Sequence, residues 1–461
     1  MKFAPQSIAT SDNFIDPLLA KGSALPPVGP YPTRHTAWLL LAVLTLGGMI
    51  VYIHRMIFSV VSASIGQELH LSDVRIGLLQ GAGFAFVFVL AGIPLGRLAD
   101  HVHRLRLITA GSLFFMVGTL ACGLAAGFWE LLFARCIVGI GEAAFTPAAV
   151  SLIADTFLPH HRGRAIGTLF TGMVLGGPAA IALGGVLLTS AQAGEFRTLA
   201  LIGELAPWRM VLVITAAGSV ILPLLTLLLR EPARKQFGTG VDCGEAREVG
   251  EAGDVNWRIL GPLLLCCALF AFGDYGLFSW GPVALAREHG WSASEVGLAF
   301  GTISGICGAL GTFFGGVLSD AFARRAGEPA RLIPTAGAAF IIAAGGAMFA
   351  TGSPFLALAG VGVWCLLGQL AGTSAIISVQ SFVPGRFRAT SMSLVALGNG
   401  LLGIGLGPLA IAVVSDTIGG RAGTSLAIAT VIAPAALAAG LLAIYVLRSA
   451  RKDPGVADNP N

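Results

Sequence analysis

Charge is scarce in this chain. Asp, Glu, Lys and Arg make up 11% of its 461 residues and apolar residues 55%, a ratio that excludes a soluble domain built on one core. Cysteine is sparse and poorly spaced for chemistry. Of seven, Cys122, Cys136, Cys266, Cys267, Cys307 and Cys365 sit in apolar runs, Cys243 sits in a polar stretch, and no CxxC occurs. That pattern argues against a disulfide framework or a cysteine metal site. HExxH, GxxxxGK[ST] and GxSxG are all missing, so a metalloprotease, an ATP-driven pump and a serine hydrolase lack their signatures. The chain is not expected to be an enzyme, and no cofactor or metal is expected. Residues 1–35 contain no basic stretch leading into an apolar one, which argues against a cleaved signal peptide.

What is present is apolar and rich in small residues: 63 glycines and a mean hydropathy of +0.82. Twelve apolar runs fall at approximately 37–64, 73–98, 105–126, 129–156, 164–189, 208–229, 258–286, 293–318, 332–350, 355–382, 388–415 and 422–447. A helix needs roughly 20 such residues to cross a bilayer. The expected fold is therefore an all-α integral membrane protein with twelve transmembrane helices in two six-helix bundles. Its expected segments are a cytoplasmic tail at 1–35, bundles at 36–229 and 258–448, a cytoplasmic linker at 230–257 and a tail at 449–461.

The six-plus-six division rests on a duplication. GRLADHVHRLR, starting at Gly96, reappears 220 positions later as GVLSDAFARRA, starting at Gly316, so that Gly96/Gly316, Asp100/Asp320 and Arg104/Arg324 correspond. Upstream, Ser72/Ser292, Gly77/Gly297, Leu78/Leu298 and Gly81/Gly301 keep the same offset. Two matched copies are a strong sign of an internal repeat. A GxxxD loop with a following Arg suits a tight helix connection at the water boundary, where the glycine admits a neighbouring helix and the charges pair as a latch. Asp155, at the end of the fourth run, is expected to join that latch through Arg104 or Arg164. Ser72 and Ser292 read as helix N-caps.

Of the 28 Lys and Arg, Arg55 and Arg135 lie inside runs, and Arg75, Arg197, Arg209, Arg287 and Arg421 fall in one set of loops, leaving 21 on the face with both termini and the repeated loop. The positive-inside rule makes that face cytoplasmic. The net charge of +4 is then a membrane-orienting belt and no sign of a nucleic-acid partner.

Charges inside the runs are costly and point into cavities or at partners. The first run carries His54 and Arg55. The fourth carries Arg135 and Glu142, almost two turns apart and hence on one stripe with Gly139; Glu142 is expected to pair with Arg55 or Arg135 and to act as a proton switch. Adding 220 to His54 and Arg55 reaches Asp274 and Tyr275, so Asp274 is expected at the equivalent level of the seventh helix, lining a cavity or guarding its far side. The second half otherwise offers aromatics, including Trp280, Trp364, Phe270 and Phe278, with Gln369. One polar wall and one apolar wall suit an amphipathic substrate with its anionic head on Arg55 or Arg135.

Two six-helix halves with a repeated GxxxD loop resemble the major facilitator superfamily. VYIHR in the first helix, RCIVGIGEA followed by SLIADTF in and after the fourth, and REPARK after the sixth are similar to the Spinster family. That resemblance implies export of lysolipids, sphingosine phosphate or related amphiphiles, with proton coupling in some members. We expect a proton-linked secondary transporter of an anionic amphiphile working by alternating access; the alternatives are transport of small organic anions or drugs on the same fold and, remotely, a membrane-embedded lipid-modifying enzyme. By motif position it implies a central polar site of Arg55, Arg135 and Glu142 and a latch including Asp100 and Arg104. Our reading adds Tyr275 and Trp364 to the substrate site and His54 and Asp274 to proton coupling. The chain departs from the family in having His54 where an Asp usually precedes the Arg. A functional monomer in the inner (plasma) membrane, both termini cytoplasmic, is expected.

Overall fold

The computed structural model describes residues 32–199, 202–232, 234, 255–383, 387–419 and 423–452. The tails at 1–31 and 453–461 and nearly all of the linker lie outside the described residues. Among the described residues twelve helices are long and apolar enough to cross a membrane. The first bundle holds α1 (Arg34–Glu68), α2 (Asp73–His101), α3 (Arg104–Leu124), α4 (Phe128–Thr156), α5 (His161–Gln192) and α6 (Pro207–Leu228). The second holds α7 (Trp257–His289), α8 (Ala293–Ala326), α9 (Glu328–Thr351), α10 (Pro354–Ser381), α11 (Thr390–Ile418) and α12 (Gly423–Arg451).

Local chemistry sets the helix ends. The Ser72 hydroxyl accepts from Arg75 N at 3.3 Å, and Ser292 forms a reciprocal capping box with Glu295, so both expected caps satisfy orphan amides at the start of α2 and α8. Gly290, at φ +70°, terminates α7 in the left-handed conformation that glycine adopts without a Cβ clash.

The repeated glycines mark where the halves meet. A Cβ on Gly77 or Gly81 of α2 would lie 2.6 Å from Ala412 Cβ or 2.8 Å from Gly405 O of α11. On Gly297 or Gly301 of α8 it would lie 2.7 Å from Ile181 O or 2.8 Å from Pro178 O of α5. The duplication thus builds two related seams, α2–α11 and α8–α5, by close backbone approach. Gly96 and Gly316 behave differently: a Cβ on either meets nothing within 4 Å. The expectation that they admit a neighbouring helix is corrected for this conformation. Both lie at the repeated-loop ends of α2 and α8, where the halves diverge; the halves are joined at the opposite face.

Among the described residues three helices loosen into π-helical turns, near the start of α2 at Leu78–Ala82 and near the middle of α10 at Trp364–Gly368 and of α11 at Asn399–Leu406. A wide turn leaves carbonyls free for other donors and redirects side chains, and each of these turns contributes to the site.

Candidate functional site

Arg55 of α1 meets Glu142 of α4 in the middle of the first bundle. Arg55 Nε and Nη2 both donate to Glu142 Oε2, at 2.9 and 2.8 Å. Both side chains are nearly closed to solvent, at 6% and 0% exposure. Glu142 Oε1 is buried without a partner among the described residues. Arg55 Nη1 reaches across the interface to donate to Tyr275 Oη of α7 at 3.4 Å. The guanidinium also lies 4.7–5.4 Å from the ring centroids of Tyr52, Phe88 and Phe84, contacts worth about 0.5–2 kcal/mol each when desolvated. The two-pronged grip on one oxygen satisfies most of the charge of both groups while leaving half of the carboxylate unused.

Arg135 does not join this pair. Its Nε donates to Leu79 O at 3.0 Å and its Nη2 to Gln80 O at 3.5 Å, with Phe58 and Phe84 rings on its faces. Both carbonyls belong to the π-turn of α2, and the guanidinium donates one bond to each. Arg135, expected to hold a substrate head, is 2% exposed in this conformation, ties α4 to α2 and does not line the cavity described below. His54 is similarly enclosed. Its Nδ1 is 2.6 Å from Thr119 Oγ1 of α3, and its ring packs on Phe115 at 4.7 Å, so it faces the interior of the first bundle and does not line the cavity described below.

A cavity of about 340 Å³ opens beside the pair, between α1 and α5 on one side and α7, α8, α10 and α11 on the other. Tyr52, Phe170, Phe270, Tyr275, Phe278 and Trp364 give it an aromatic wall, and Asp274, Gln369 and Asn399 a polar one. Asp274 Oδ1 accepts from Gln369 Nε2 at 3.3 Å. Tyr275, Trp364 and Asp274 are thus brought together as expected. Arg55 stands one layer behind Tyr275, at a small void of about 10 Å³ that it shares with Ser59, Gln80 and Ser279.

At the repeated-loop face Arg104 is 1% exposed and gathers the first-half charges. It pairs with Asp155, donates from Nε to Glu231 Oε1 at 2.8 Å, and donates from Nη1 to Ser151 Oγ at 3.1 Å. His103 Nδ1 lies 2.5 Å from Glu231 Oε2. Burial pushes the Glu231 carboxyl up, but hydrogen bonds from Arg104 and the Leu105 amide outweigh it and hold the group below the usual carboxylate range. Asp155 therefore selects Arg104. Arg164 and Asp100 are exposed and make no ion pair among the described residues, a correction to their place in the latch. In the second half Asp320 pairs with Arg331, at 2.5 Å, and not with Arg324. The reason is register. Helix α8 continues to Ala326, whereas α2 ends at His101, so the position 220 after Arg104 is still inside α8 and Arg331, in the first turns of α9, takes over.

The sequence reading missed the closure at the far face. Arg287 of α7 donates to both oxygens of Asp73 of α2, at 2.7 and 2.8 Å. Ser415 adds a bond to Asp73 at 2.7 Å, and Asp416 of α11 accepts from the Asp73 and Val74 amides at 3.1 and 2.9 Å. The available signal was Asp73 directly after the cap Ser72, where the repeat has Ala293. Glu231 was also overlooked, although it stands within REPARK.

Comparisons with known proteins bear on this arrangement. Residues 44–408 match the Major Facilitator Superfamily. The chain is 28% identical over 389 residues to an MFS-type efflux pump of Mycolicibacterium smegmatis, covering 83% of this chain and 85% of that protein. It is 28% identical over 296 residues to human Protein spinster homolog 1, covering 60% of this chain and 53% of that protein. The crystal structure of a bacterial homolog to the human lysosomal transporter Spinster, in an inward-facing and occupied conformation, superposes with a TM-score of 0.76 at 27% identity, over 93% of this chain and 100% of that one. The chain is a Spinster-like, multi-pass membrane transporter, not an enzyme, and it belongs to the Major Facilitator Superfamily.

Proposed function

We propose that the chain is a proton-linked secondary transporter that moves an amphipathic lipid of the lysolipid or sphingosine phosphate type by alternating access. The observation that carries this reading is the contact between the Arg55–Glu142 pair and Tyr275 at the edge of a cavity with one aromatic and one polar wall. An acyl chain fits the rings of Phe270, Phe278 and Trp364. Protonation of Glu142 removes the charge that holds Arg55, and the freed guanidinium reaches an anionic group once Tyr275 turns aside. Rocking of the halves, pinned here at the far face, exposes the cavity to each side in turn. Paired with Asp155 and Glu231, Arg104 stiffens the loop end of the first half during that motion. The protein acts as a monomer in the inner (plasma) membrane with both termini cytoplasmic, which makes the conformation described here inward-facing.

The test is thermal stabilisation of the purified chain by lysophospholipids, sphingosine phosphate and short organic anions at two pH values, alongside Arg55→Ala. Stabilisation by long-chain anionic lipids that the variant loses supports the reading. Stabilisation by short anions alone replaces it with organic-anion or drug transport, a reading favoured by the likeness to an efflux pump.

A further inference from the structure

We propose that the cavity recognises a cationic group on its substrate, an ammonium or quaternary ammonium, held by Asp274 against the rings of Phe270, Tyr275 and Trp364. The inference rests on the lipid-transporter reading and narrows it to zwitterionic amphiphiles.

Asp274 is the one acidic side chain lining the cavity, and no Lys, Arg or His lines it. Its described partners are neutral: Gln369 at 3.3 Å and the Trp364 side chain. No ion pair to Asp274 occurs among the described residues, whereas Glu142, Asp155 and Glu231 each have an arginine. A carboxylate in a low-dielectric site is costly without a compensating cation or proton. A second acceptor points the same way. Asn399, from the π-turn of α11, also lines the cavity, and its Oδ1 is buried with no donor among the described residues. A site with a carboxylate that has no counter-charge, one unmet amide oxygen and aromatic faces is matched by a cation, which gains from both the carboxylate and the ring quadrupoles. An anionic head in the same place meets like charge. The phosphate of a zwitterion instead has Tyr275 Oη and, beyond it, Arg55.

The experiment measures equilibrium binding of labelled lysophosphatidylcholine and of lysophosphatidate with the same acyl chain to the full chain in a non-ionic detergent at mildly alkaline pH. The wild type is expected to hold the choline lipid about tenfold or more tighter, a comparison that needs no variant. Asp274→Asn is expected to abolish the preference, and Asp274→Glu to keep most of it. Equal binding of the two lipids, or a preference for lysophosphatidate, overturns the proposal. So does a folded Asp274→Asn that binds the choline lipid as the wild type does, which would leave the carboxylate to a proton alone. If neither lysolipid binds, the lipid reading fails by itself, and tetraphenylphosphonium decides the cation site: binding lost in Asp274→Asn sustains it, and no binding removes it too.

Discussion

Arg55 and Tyr275 occupy the same position in the two copies of the repeat, 220 residues apart, and they touch: Arg55 Nη1 lies 3.4 Å from Tyr275 Oη. The pseudo-symmetry axis therefore passes close to this contact, and the duplication has diverged there into a guanidinium on one side and a phenol on the other. A change that both halves sense is best placed where they meet on equivalent residues.

Glu142→Gln removes the charge that Arg55 grips but keeps a hydrogen-bond acceptor of the same shape. We expect uptake into proteoliposomes to lose its dependence on pH while the variant purifies and melts as a folded protein. A pH profile unchanged from wild type would end the proton-switch role of Glu142.

The far-face closure predicts a charge-swap phenotype. The Arg287 side chain is 37% exposed and that of Asp73 12%, so the pair alone is worth on the order of 1 kcal/mol, a severalfold shift between open and closed populations. Arg287→Asp should raise the labelling rate of a cysteine placed at Ser64, which lines the pocket beside the pair. Adding Asp73→Arg should bring the rate back towards wild type, and a double variant as open as the single one counts against the closure.

Arg104→Ala leaves Asp155 without its arginine, reduces the partners of Glu231 to His103 and the Leu105 amide, and loses bonds to Ser151. Breaking a buried pair from one side costs about 3–5 kcal/mol, so the melting temperature should fall by several degrees. The Glu231 carboxyl is held below its ordinary range, so its stabilising contribution is fully present above the unfolded value and is lost as pH falls through the folded one. The gap in melting temperature between wild type and Glu231→Gln should accordingly be widest near neutral pH and close in acid. A gap that widens on acidification contradicts this assignment.

Two glycines separate packing from motion. A Cβ on Gly185 would stand 2.1 Å from Ala293 O across the α5–α8 seam, so Gly185→Val should prevent the halves from joining and abolish transport. Gly96→Ala meets nothing within 4 Å and should leave stability equal or raised by up to about 1 kcal/mol through helix propensity. If its transport nevertheless falls, Gly96 is needed in the opposite conformation, where the loop ends of the halves close. Full transport by Gly96→Ala would deny the repeated-loop glycine any part in alternating access.

Much of this was legible in the chain. Twelve spans follow from runs of apolar residues long enough to cross a bilayer, and the duplication sets six against six. Buried charge is costly enough that Arg55, Glu142 and Asp274 stand out as site residues by their place within apolar runs. Residue type and spacing determine these things because they depend on hydropathy and period alone. Which charges meet depends on how helices far apart in sequence are turned and staggered, and only the tertiary structure decided it. The π-turn at Leu78–Ala82 takes Arg135 for its carbonyls and leaves Glu142 to Arg55. The longer α8 hands Asp320 to Arg331. The pairing of Asp73 with Arg287 joins residues 214 positions apart, a contact that no local pattern encodes because it forms only when the two halves close on each other.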